Sequence, residues 1–322
     1  MPRRRALLAA PLLTLPGLAR AQQTAWPTRP VRIVVAYPPG GSTDVLARTL
    51  AAALQERFGG SFIVENRPGG AAVVGTQAVA QAAPDGYTFA LGNNQTHAAN
   101  VAMVQGLPYD PIADFTPVAH LATVHHALVV AASSPARTLA QLIARGRAQP
   151  ITYASSGVGS ASHVIAEAFV RRQTLRATHV PYRGGAQATT DTVAGTVDFF
   201  VSTWPQVAQL VRDGRLRALA IGAPQRVADA PDVPTFAELE MPLLAVDAWF
   251  GLWAPARAPA EVVTQVSAAC VFLLRQPAMV ERLQAQGFTA AGMGAVAFGV
   301  FQREEVERWR SLVALTGIRI EN

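Results

Sequence analysis

The stretch that most constrains the fold runs from residue 31 to residue 54. An apolar run at residues 31–36 leads into Tyr37, Pro38, Pro39, Gly40, Gly41, Ser42, Thr43 and Asp44. Such a run has the composition of a strand buried on both faces. The two prolines end its hydrogen-bond ladder, and the two glycines open backbone angles closed to other residues. Ser42, Thr43 and Asp44 each suit a helix N-cap. Val45, Leu46, Thr49, Leu50, Ala53 and Leu54 then recur at helical spacing. A strand, a glycine turn and a helix start aim free N–H groups and the positive end of a helix dipole at one point, which suits an anion.

The device recurs more than a hundred positions later. Residues 151–154 read as a short strand, Ser155, Ser156, Gly157, Val158, Gly159 and Ser160 as a corner, and residues 162–171 as a helix. Two anion-binding corners on separate α/β units suggest a ligand held between lobes. The rest of the chain fits that frame. Strands at residues 62–65 and 87–91 alternate with helices, which argues for a parallel sheet covered on both faces. Asn93 follows the third strand and should share the carboxyl edge of that sheet with the first corner. Further strands are expected at 128–132, 178–181, 197–201 and 216–221, a crossing strand at 245–253, and closing helices at 260–274 and 298–315. The reading is two α/β lobes, residues 22–125 with 246–322 and residues 126–245, with crossings near 120–130 and 243–252.

Residues 1–21 carry Arg3, Arg4 and Arg5, an apolar segment and Ala19-Arg20-Ala21, the order of a secretory signal peptide. Export by the general secretory route is expected, although Arg4-Arg5 also permits a twin-arginine route. The formal charge of +6 is concentrated there: without those four arginines the chain has 23 basic and 21 acidic residues, or +2. No basic block follows, so a nucleic-acid partner is not implied. All 27 basic residues are arginine, which rules out a Walker lysine, a Schiff-base lysine and a Ser-x-x-Lys acylase. Cys270 lies in an apolar helical pattern and reads as a buried small hydrophobe. The adjacent His125 and His126 lack a spaced set of further ligands, so no metal is expected, and no cofactor.

Catalytic templates fail on inspection. The nucleophile elbow Gly-x-Ser-x-Gly is absent around Ser42 and Ser160, and Ser162 stands where a dinucleotide fingerprint has its last glycine. Arg67 and Arg183 offer bidentate clamps for a carboxylate, but each sits at a glycine turn, where bracing a loop is the commoner role. His97 is a weaker pocket candidate. On the residues alone an exported α/β hydrolase or transferase using a serine near Ser42 or Ser160 stays open beside a binding protein.

Several phrases together resemble one family. They include Val64-Glu65-Asn66-Arg67-Pro68-Gly69, the corner ending at Asp44, Ala82-Ala83-Pro84-Asp85-Gly86-Tyr87, Asp114-Phe115-Thr116-Pro117-Val118, His179-Val180-Pro181-Tyr182-Arg183-Gly184-Gly185, and Trp249 with Gly251-Leu252. The chain after residue 21 resembles Bug proteins, the TctC-type solute receptors of tripartite tricarboxylate transporters, over essentially its whole length. The resemblance implies a two-lobed Venus-flytrap fold of the type II periplasmic-binding-protein kind, hinged on two crossing strands. It implies a monomeric receptor without catalysis, which takes a small carboxylate (di- or tricarboxylate, or an amino or aromatic acid) and serves membrane permease subunits. The implied ligand residues are Pro39, Gly40, Gly41, Ser42, Thr43 and Asn93 from the first lobe, and Ser155, Ser156, Gly157, Gly159, Ser160, His163 and Tyr182 from the second. Asp44 reads as a cap, because its charge would repel an anion. His163 is expected either to support its corner or to face the cleft. The chain departs from the family at Asp247, where a small polar residue commonly precedes the tryptophan. Asp247 is expected beside the cleft, reading the far end of the ligand, or at a rim paired with an arginine.

Overall fold

Proline and glycine punctuation cuts the chain into alternating strands and helices, and a computed structural model describes them over residues 26–182 and 184–320. The expected leader and Arg183 lie outside the described residues. In chain order the elements are β1 (Val31–Val35), α1 (Ser42–Phe58), β2 (Phe62–Asn66), α2 (Val73–Ala80) and β3 (Thr88–Asn93). A π-type turn (Gln95–Ala99) runs into a short α3 (Asn100–Met103), followed by β4 (Phe115–Val124) and β5 (His126–Ala131). Then come α4 (Leu139–Ala148), β6 (Ile151–Ser155), α5 (Ala161–Arg172), β7 (Ala177–Pro181), α6 (Gly185–Ala194), β8 (Phe199–Thr203), α7 (Trp204–Arg212) and β9 (Leu216–Ile221). The chain closes with β10 (Ala248–Pro255), α8 (Ala260–Leu273), α9 (Pro277–Ala285), β11 (Thr289–Gly294) and α10 (Ala295–Thr316).

The strands form two sheets, ordered β11-β4-β10-β3-β1-β2 and β7-β6-β8-β5-β9. β1, β2 and β3 are mutually parallel, as are β6, β7 and β8, while β4, β5, β9, β10 and β11 enter antiparallel ladders. The chain passes from the first sheet to the second at His125 and returns before Ala248. The strand at 115–124 is not among those expected from the sequence. Pro117 sits inside it, next to a register shift against β10, and pairing with β11 ends at Ala119, so its missing N–H faces no partner there.

The C-terminal helix α10 ties both lobes together. Trp309, Leu312 and Val313 share one apolar cluster with Val164, Ile165 and Phe169 of α5, and the two helices are in contact. On the other side Trp249 Nε1 donates to Glu305 at 2.8 Å and Trp253 Nε1 to Gln302 Oε1 at 3.0 Å. Cys270 is fully buried in the core of the first lobe, where desolvation pushes its thiol up to about 12. Among the described residues no single helix is long and apolar enough to cross a membrane.

Candidate functional site

The glycine corners follow the carboxyl ends of β1 in one sheet and β6 in the other, and start α1 and α5. Gly41 occupies the N-cap of α1 with an extended backbone, so Ser42 and Thr43 form its first turn. Their N–H groups have no residue four positions back to bond within the helix. Asp44 is the third residue of the turn and reaches back to accept from Gly40 N at 2.9 Å, from Arg48 Nε at 3.0 Å and from Asn66 Nδ2 at 2.9 Å. Desolvation raises its pKa, but these bonds with the Arg48 charge outweigh it and hold the carboxyl below its usual range. Asp44 is therefore a fixed anion that locks the corner, with Gly40 in a left-handed conformation (φ +86°) to present its N–H.

The second corner is capped by Ser160, whose Oγ accepts from His163 N and donates to Gly157 O at 2.7 Å. Ser162 Oγ accepts from Ser156 N at 2.9 Å and meets both Ser160 Oγ and Ser156 Oγ at 3.0 Å. Because the Ser160 hydrogen goes to a carbonyl, Ser162 must donate to Ser160. Ser156 then donates to Ser162 Oγ, and because it holds neither the cap nor a carbonyl, its hydrogen is the one that can be redirected to a ligand. His163 Nδ1 accepts from Gly159 N at 3.1 Å, so the ring supports the corner from behind. It stacks on His179 at 3.8 Å between ring centroids, and His179 Nε2 lies 2.7 Å from Ser155 Oγ.

The two corners meet across a cleft of about 390 Å³. Pro39, Gly41, Ser42, Thr43 and Asn93 line it from the first lobe, and Ser156 and Ser160 from the second. Ala161 and Ser162, at the open start of α5, also line it. No arginine, aspartate or glutamate lines this cleft among the described residues. Arg67 is bound to Glu65, away from it.

The other expected contacts belong elsewhere. Gly40 braces Asp44. Ser155 is fully buried and bonds within its own corner. Gly157 supplies a carbonyl to Ser155 and Ser160. Gly159 (φ +75°) lies against Ile320, where a Cβ would come within 2.3 Å of Cδ1, so its small size serves packing against the chain end and not ligand approach. Tyr182 donates its hydroxyl to Asp191 at 2.7 Å; desolvation and that carboxylate push the phenol up to about 12. His97 is buried flat against Trp253 at 3.5 Å. Asp247 corrects both expectations: it pairs with His125 Nδ1 at 2.8 Å, not with an arginine, and the pair lines a separate groove of about 1080 Å³ that shares no lining residue with the cleft. Ser155, which meets the His179 ring, is fully buried.

Several cleft residues escaped the sequence reading. Asn94 is buried and its Nδ2 has no partner among the described residues, although it lines the cleft. Its neighbour Asn93 uses Oδ1 to accept from Gln95 N and Tyr37 OH. Tyr37, Thr203, Ala248 and Phe250 complete the wall, and His126 closes it at the crossing. The pairing of His126 with Thr203 in β5–β8 brings both to the cleft, and no local motif marks either residue.

The family model described as tripartite tricarboxylate transporter family receptor, TctC, matches residues 46–318. Protein BugT of Bordetella pertussis is 34% identical over 299 residues, covering 92% of each chain. A solved R. palustris protein with adipate is 33% identical with a TM-score of 0.82, covering 92% of this chain and all of that one. The periplasmic binding protein BugD is 27% identical with a TM-score of 0.79, again over 92% of this chain and all of its own. The fold is thus that of a two-lobed α/β periplasmic binding protein, and the chain belongs to the TctC family of tripartite tricarboxylate transporter receptors.

Proposed function

We propose that this protein is a periplasmic receptor that binds a small organic carboxylate between its lobes and delivers it to the membrane permease subunits of a tripartite tricarboxylate transporter. It reaches the periplasm through the leader at residues 1–21 and works as a monomer without catalysing a reaction. Its lobes are residues 22–125 with 246–322, and residues 126–245. The observation that carries the reading is the convergence of two open helix starts, α1 and α5, on one cleft with no charged lining side chain among the described residues. An anion there is held by neutral donors and dipoles: the N–H groups of Ser42, Thr43, Ala161 and Ser162, the Ser156 hydroxyl and the Asn94 amide. The adipate carried by a structural relative is a ligand of this chemistry.

Hydrogen bonds to a charged group are each worth about 1.5–3 kcal/mol, and a helix N-terminus adds about 0.3–1 kcal/mol. Three or four such contacts suffice for micromolar binding, about −8 kcal/mol, after association costs. A thermal-shift screen of mono-, di- and tricarboxylates against their amides tests this. Acids at about a hundred times their dissociation constant should stabilise the fold by about 2.7 kcal/mol, and amides should not. Ser156→Ala should weaken acid binding roughly ten- to a hundredfold, with Arg67→Ala and Arg183→Ala close to wild type. Equal shifts from acids and amides, or loss of binding on arginine removal alone, would refute the neutral-donor site.

A further inference from the structure

The other polar side chains that line the cleft, hydroxyls and amides, can all donate a hydrogen bond, and His126 is the exception. It is the first residue of β5, directly after the crossing, and is 3% exposed. Its Nδ1 lies 3.1 Å from the carbonyl oxygen of Val246 on the returning crossing. A carbonyl only accepts, so Nδ1 carries the hydrogen, and the neutral ring then has a bare lone pair on Nε2. Desolvation keeps the ring's pKa below its usual value, against the Val246 bond and the Asp247 charge, and so keeps it neutral. Nε2 has no partner among the described residues, and His126 lines the cleft. Asn93 Oδ1 is already taken by Gln95 N, Thr96 N and Tyr37 OH, and the Asn94 and Gln95 amides can turn to offer either end, which the ring cannot.

An acceptor that cannot rotate or switch to donating needs a donor from the ligand. A bare methylene set against it would strip its water and return nothing. The donor is a hydroxyl and not an ammonium, because a desolvated ammonium needs a carboxylate partner, and none lines this cleft among the described residues. Resting on the carboxylate-receptor reading above, we infer that His126 Nε2 is a specificity determinant that accepts a hydrogen bond from a ligand hydroxyl, so that the protein selects hydroxycarboxylates over the corresponding plain acids.

Isothermal titration of the whole protein with pairs matched in length decides this: propionate and lactate, succinate and malate, glutarate and 2-hydroxyglutarate. For the length that binds best, the hydroxy acid should bind roughly ten- to a hundredfold more tightly than its plain partner. Two variants separate the ring's two nitrogens. In His126→Asn the amide nitrogen sits near the place of Nδ1 and preserves the bond to Val246, but nothing stands at Nε2. In His126→Gln the amide oxygen reaches the place of Nε2 and the Val246 bond is lost. The preference should fall to about onefold in the asparagine variant and persist in the glutamine variant, with thermal melts confirming that both are folded. Equal affinity of plain and hydroxy acids for the wild type, or a preference unaffected by His126→Asn, would overturn the inference while leaving a carboxylate receptor in place. Failure of every acid to bind would overturn both.

Discussion

At the scale of single residues, the second corner depends on a neutral imidazole. Gly159 N–H can be accepted by His163 Nδ1 only while that nitrogen is bare. Desolvation, with the His179 ring adding to it, takes the pKa of His163 down to about 4. His120, buried against Phe298 and Phe301, is likewise lowered to about 4 by desolvation. In the unfolded chain both titrate near 6.5. Between about pH 6.5 and 4 the unfolded state therefore binds more protons than the folded one, and stability must rise with pH across that window and level off above it. Each group contributes a slope of about 1.4 kcal/mol per pH unit. Denaturant titrations at stepped pH should show the combined slope. His163→Asn, whose side-chain oxygen can accept from Gly159 without titrating, should remove its own share of about 1.4 kcal/mol per pH unit and leave that of the other buried histidines. An unchanged slope in that variant would mean that His163 is protonated in the folded state at ordinary acidity.

At the scale of elements, the fold leans on α10 more than its modest amphipathic pattern suggests. Gln302 is buried and completes three bonds: it accepts from Trp253 Nε1 at 3.0 Å and donates to His97 O at 3.2 Å and Pro111 O at 2.9 Å. Removing its amide strands an indole N–H and two carbonyls away from water, each costing about 1–3 kcal/mol when left unsatisfied. Gln302→Ala should lower stability by about 3 kcal/mol or more in chemical denaturation, whereas Glu307→Ala, at an exposed ion pair on the same helix, should cost under about 1 kcal/mol. The sequence placed this helix correctly at residues 298–315 but gave no reason for a glutamine in its buried face. That reason lies in β10 and in the turn after β3, which are distant in the chain. The strand β11 escaped notice for a related cause: Thr289–Gly294 is rich in alanine and glycine, and it becomes a strand by pairing with β4.

At the scale of the whole molecule, the two crossings are stitched together by His125 Nδ1 with Asp247 Oδ1 and by His126 Nδ1 with Val246 O. We expect lobe closure to pivot on these pairs, with α5 and α10 sliding over the apolar seam they share. Scattering with a saturating carboxylate should give a smaller radius of gyration than without it. Asp247→Ser should change the affinities of amino, hydroxy and plain dicarboxylates by one common factor and leave their ranking intact. Its side chain bonds His125 in the second groove, not in the cleft. A change in ranking would return Asp247 to the ligand.

What the sequence determined by itself is the local device and its repetition. A strand that ends at Pro38 and a glycine turn that starts a helix are dictated by residues within ten positions of one another, and so are Ser156 and Ser160 at the second corner. The two-lobe order followed from the alternation of such units. The tertiary structure alone decided which side of the crossing each residue faces. His125 and Asp247 line one groove, and His126 and Ala248 line the other. Neighbours on an extended chain point in opposite directions, so the register of the β5 and β10 pairings chooses between them. The same holds for Asn94 against Asn93, where one amide closes a turn and the next is left open to the cleft. For His126 the partners lie 77 and 120 positions away, at Thr203 and Val246, and no local spacing carries that information.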